Sequence, residues 1–95
     1  MVRQFFNYDE VWGDRAEECV EELLEMESNT EKRYMALGPA GYTESQQEMN
    51  SVLLEKEREI LKKYGCHIRR IGDSDEDLKV RGELEAYRVY EKSLT

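Results

Sequence analysis

Seven carboxylates crowd residues 14–27: Asp14, Glu17, Glu18, Glu21, Glu22, Glu25 and Glu27, with Arg15 the only base among them. Four of their pairings fall at the i,i+4 spacing that places side chains side by side on a helix: Asp14/Glu18, Glu17/Glu21, Glu18/Glu22 and Glu21/Glu25. Each like-charge pair costs about 0.2–0.5 kcal/mol on an exposed helix. In a domain worth ~5 kcal/mol in total, four of them are a noticeable burden. Carboxylates can act as acid–base pairs, but nothing in the spacing singles out two of them for that work. A row of like charges suits a different task, which is steering and holding a basic protein surface. The competing interpretation is a solvated helix face whose charges are met by bases on a neighbouring helix.

Aromatic residues supply a second candidate contact. Phe5, Phe6, Tyr8 and Trp12 precede the acidic run, and large aromatics beside charge resemble interface anchors. In so short a chain such aromatics are more often simply core. Other chemistry finds little material. His67 is the only histidine, the cysteines Cys19 and Cys66 lack ligand-pair spacing, and no metal site is expected. The Asp73–Asp77 run lacks the twelve-residue calcium-loop pattern, and no glycine-rich phosphate loop occurs. On a strand, Cys66 and His67 would point to opposite faces, so they do not make a nucleophile–base pair. No catalytic residue and no cofactor is expected. Whether Cys19 and Cys66 are joined is open at this level.

The elements that must carry these residues emerge from periodicity. Val2–Tyr8 reads as a short strand or apolar arm, with Asn7 or Asp9 capping the next element. From about Asp9, the residues Trp12, Ala16, Cys19, Val20, Leu23 and Met26 recur at steps of three and four, one face of a helix. Ser28-Asn29-Thr30 marks a candidate break, after which Thr30 caps a shorter helix carrying Tyr34 and Leu37. Gly38-Pro39-Ala40-Gly41 ends that run. A capping box at Thr43-Glu44-Ser45-Gln46 predicts a second long helix over 43–64, with Lys62 and Lys63 in its last turn and Gly65 as its stop. Residues 66–71 read as extended. For the remainder two alternatives stay open. Ser74 followed by three acids, with Val80, Leu84, Tyr87 and Leu94 at helical spacing, predicts a helix. Gly82 counts against that helix, and Leu84, Ala86, Arg88, Val89 and Tyr90 partly suit a strand, which allows a β-hairpin pairing the Cys66 segment with the C-terminal run through the Asp73–Asp77 turn.

Composition bounds the rest. With 95 residues, 39% hydrophobic and 38% charged, the chain makes one small domain (1–95) with a thin core. The fold class expected is mainly α: a two-helix antiparallel hairpin packed with a C-terminal helix and one short extended segment, or, as the alternative, α+β with a C-terminal hairpin. Net charge is −8, of which −6 falls in residues 1–37, so neither nucleic acid nor an anionic membrane is an expected partner. No apolar run approaches membrane-spanning length and no secretory signal opens the chain, which points to the cytoplasm. Two functions are compatible with this pattern. One is an acidic binding module (an inhibitor, antitoxin-like neutraliser or adaptor) docking Asp14, Glu17, Glu18, Glu21, Glu22 and Glu25, with Phe5, Phe6 and Trp12, on a basic partner. The other is a helical subunit that forms homodimers through its apolar stripes.

Overall fold

The computed structural model describes residues 2–6 and 9–93, so the Asn7 cap, Tyr8 and Leu94 lie outside it. In chain order the elements are β1 (Val2–Phe6), β2 (Asp9–Gly13), α1 (Ala16–Met35), α2 (Gly38–Glu44), α3 (Gln46–Tyr64), β3 (His67–Arg69), α4 (Asp75–Val80) and α5 (Leu84–Ser93). The chain is mainly helical, as its composition suggested. The predicted three-helix arrangement is replaced by five helices and a three-stranded antiparallel sheet in the order β1-β2-β3.

The largest departure from the periodicity reading is Asp9–Gly13, which is strand rather than the start of a helix. Trp12 stands four residues before Ala16, a step that mimics a helical stripe. Its neighbours decide otherwise. In a strand Val11 and Trp12 point to opposite faces, and both are fully buried, which requires a sheet covered on both sides. Val11 lies opposite Gln4 and Ile68, while Trp12 lies opposite Arg3 and His67. The alternative of a C-terminal hairpin is not formed by the described residues. The segment expected to pair with the C-terminal run pairs with β2 instead, and residues 75–80 and 84–93 are helical. Ser74 caps α4 in a reciprocal box with Asp77, and Gly82, at φ 76°, separates α4 from α5.

One face of the sheet is covered by the helical hairpin. Phe6, Val11 and Ile68 pack with Ala16, Cys19, Val20 and Leu23 of α1 and with Cys66, while Ile60, Leu61 and Tyr64 of α3 close the edge. Helices α1 and α3 run antiparallel: Arg15 lies over the Tyr64 ring at 4.6 Å, and Lys63 reaches Glu22 at 2.7 Å. No break occurs at Ser28–Thr30. Thr30 and Tyr34 are both buried and extend the stripe through that stretch, and packing outweighs local propensity there. The capping box predicted at Thr43 does not form. Thr43 donates back to the Pro39 carbonyl within α2, and α3 starts at Gln46 without a side-chain cap. The stop at Gly65 holds, in the left-handed conformation.

Helix α5 covers the other face. Trp12 stacks on Tyr90 at 5.1 Å, meets the edge of Tyr87 at 5.3 Å, and stacks on His67 at 5.5 Å. Such ring pairs contribute about 0.5–1.5 kcal/mol each beyond burial. A cost accompanies them: neither the Trp12 indole N–H nor the Tyr90 hydroxyl has a hydrogen-bond partner among the described residues, each worth about 1–3 kcal/mol. Among the described residues no helix is long and apolar enough to cross a membrane.

Gly13 joins the sheet to α1 at φ 147°, a conformation reserved for glycine, and a Cβ there would sit 2.8 Å from Cys66 Sγ. Gly13→Ala should therefore lower the unfolding free energy by about 1–3 kcal/mol in urea titration. Adding Cys66→Ala should fail to restore it, since the backbone strain remains. An unchanged midpoint for Gly13→Ala would contradict this geometry.

Candidate functional site

With its buried stripe committed to the sheet and α3, helix α1 turns its opposite side to solvent. Glu17, Glu21, Leu24 and Ser28 recur at steps of four, three and four along that outer side, and all are exposed. Glu18 and Glu25 flank them, also exposed, and Asp14 stands just ahead of the helix. Leu24, at 49% exposure, is an apolar residue set among carboxylates.

Two of the acids are neutralised. Glu18 accepts a 2.6 Å bond from Arg15, and this guanidinium holds its carboxyl below the usual range. Glu22 accepts from Lys63 of α3, an ammonium raised in turn chiefly by that bond. Both pairs are open to water and contribute little to stability. Asp14, Glu17, Glu21 and Glu25 make no ion pair among the described residues. Helix α1 begins at Ala16, so Asp14 does not take part in helical repulsion and Glu17 and Glu18 gain from the N-terminal dipole. Of the four pairs named from the sequence, Glu17/Glu21 and Glu21/Glu25 are the uncompensated ones on the helix, together costing about 0.4–1 kcal/mol.

The aromatics expected beside this ridge lie elsewhere. Phe6 (4% exposed) is in the core beneath α1, and Trp12 (0%) is in the aromatic layer beneath α5. Neither is on the surface, because the β1–β2 register points them into the two packed layers. Among the described aromatics of this segment only Phe5 is exposed, at 67%. It sits opposite Glu10, on the α5 side of the sheet, with Arg3 over its ring at 5.1 Å. The sheet stands between Phe5 and the ridge, so these residues do not form one surface. Leu24 is the apolar member the sequence reading passed over. Its signal was available: within the 14–27 run it is the apolar residue out of step with the buried stripe.

Cys19 and Cys66 meet in the core as free thiols. Burial pushes Cys19 up to about 12, and the adjacent Cys66 adds to the rise. Cys66 is raised as well, again by burial. His67 lies on the opposite face of β3, where its Nδ1 pairs with Glu83 Oε2 at 2.7 Å. Nucleophile and imidazole are thus separated by the strand. Among the described residues no group of three metal-ligating side chains converges.

Comparison with known proteins gave no matching family model, no similar curated protein and no similar solved structure.

Because the thiolate is the reactive form, iodoacetamide at pH 8 should label neither cysteine of the native protein and both in urea. Rapid native labelling of Cys19 would contradict its burial.

Proposed function

We propose that this protein is an acidic binding module that docks the outer face of α1 on a basic surface of another protein. The observation that carries this reading is the set Glu17, Glu21 and Glu25. They are exposed, without ion pairs among the described residues, and arranged around the exposed Leu24. Retaining mutually repelling carboxylates costs stability, and a cationic partner would remove that cost on binding. In this mechanism the charges speed encounter, and burial of Leu24 slows release. The surface is a helix already rigid through its packing on the sheet, so docking needs no ordering of the chain. Phe6 and Trp12 take no part, and Phe5 belongs to a separate face.

The test separates binding from folding through Glu21, which belongs to both uncompensated pairs. Glu21→Gln should raise stability by about 0.4–1 kcal/mol. Glu21→Lys should fold as well as the parent while losing about tenfold or more in partner affinity, equivalent to about 1.4 kcal/mol. Pull-down with mass spectrometry should recover the partner at low salt and lose it at high salt. Recovery that is the same at both salt concentrations, or the same with Glu21→Lys, would overturn the reading.

A further inference from the structure

Away from the acidic ridge, residues of α3, β3 and the α4–α5 connection line a groove. Two adjoining cavities, of about 450 and 370 Å³, share Arg58, Leu61, Ile68, Arg81 and Glu83 along their walls. Each is within the range of about 300–1,000 Å³ typical of small-molecule sites. Leu61 and Ile68 supply an apolar floor, extended by the exposed Leu54 at one end.

Among the residues that line that floor, cations outnumber carboxylates. Four cations, Arg58, Lys62, Arg70 and Arg81, line the groove against the two carboxylates Glu57 and Glu83, in a protein of net charge −8. The cations fall into two kinds. Arg81 is fixed in place: its Nη2 reaches Asp73 Oδ2 at 3.0 Å and donates to the Ile68 carbonyl at 3.3 Å. Arg70 is likewise held, by Asp9 and Glu57. Arg58 and Lys62, one helical turn apart on α3, are exposed and make no ion pair among the described residues. Two unpaired cations therefore stand beside an apolar floor, facing an anchored guanidinium.

We propose that this groove binds a small amphiphilic organic anion, a carboxylate with an aliphatic body. Leu54, Leu61 and Ile68 receive the body, and Arg58, Lys62 and Arg81 receive the carboxylate. A bare inorganic anion would leave the floor uncovered, and a neutral aliphatic molecule would leave the cations unmet. The site uses none of the α1 ridge residues and stands independently of the docking function.

Octanoate, octanol and inorganic phosphate, titrated separately into ¹⁵N-labelled protein, discriminate these chemistries. Octanoate should saturably shift the amides of Leu54, Leu61, Ile68 and Arg81, while octanol and phosphate at equal concentration leave them in place. The double variant Arg58→Gln, Lys62→Gln, which alters only exposed side chains, should bind octanoate about tenfold or more weakly. Equal shifts with octanol, shifts with phosphate alone, or no saturable response to octanoate would each overturn the proposal. So would groove shifts produced by a polyglutamate peptide and not by octanoate. The three-ligand comparison is made on the unaltered protein, so the proposal remains falsifiable if the double variant fails to fold.

Discussion

Everything in this structure depends on β2 being covered on both faces. A sheet of three short strands, the shortest of three residues, needs its apolar faces packed, because each strand alone offers too little burial to offset chain entropy. Here Val11 is pressed against the α1–α3 hairpin, and one residue later Trp12 is pressed against α5. The strand is the seam between two small cores. Each would be insufficient in a chain of this size, and the shared seam makes them cooperative.

That arrangement decides which surfaces remain for function. Packing on the sheet and on α3 consumes one side of α1 and leaves the carboxylate-bearing side in water. Joining α3 to β3 through the left-handed Gly65 sends the chain back beneath α3 and opens the cationic groove beside it. The result is electrically divided. Glu17, Glu21 and Glu25 occupy the outer side of one helix, and Arg58 and Lys62 occupy the flank of its partner. Net charge alone conceals this division, since the acidic total suggests a uniformly anionic surface.

Much of the helical content was legible from residues alone, and the failures have identifiable causes. The stripe Ala16, Cys19, Val20 and Leu23 is buried as its periodicity required, and Ser74 and Gly65 act as cap and stop. Trp12 misled because its four-residue distance from Ala16 is compatible with a helix, while its burial depends on α5, far away in sequence. No local pattern contains that information. That contact took Trp12 to the far face of the sheet from the ridge, and Phe6 was taken into the core beneath α1. Thr43 misled for the reverse reason: its capping signal was genuine, but Pro39 had already begun a helix four residues earlier and its carbonyl took the hydroxyl. The ridge itself was legible as composition, and Lys63's pairing with Glu22 emerged only once α1 and α3 were laid antiparallel.

Native-state hydrogen exchange tests the organising role of β2 most directly. If β2 is the seam of both cores, the amides of its central residues, Glu10, Val11 and Trp12, should exchange only by global unfolding. Their protection should match that of the buried stretch of α1 around Leu23. Contradiction would come from β2 amides that exchange freely while α1 and α3 stay protected, because the helical hairpin would then stand without the sheet.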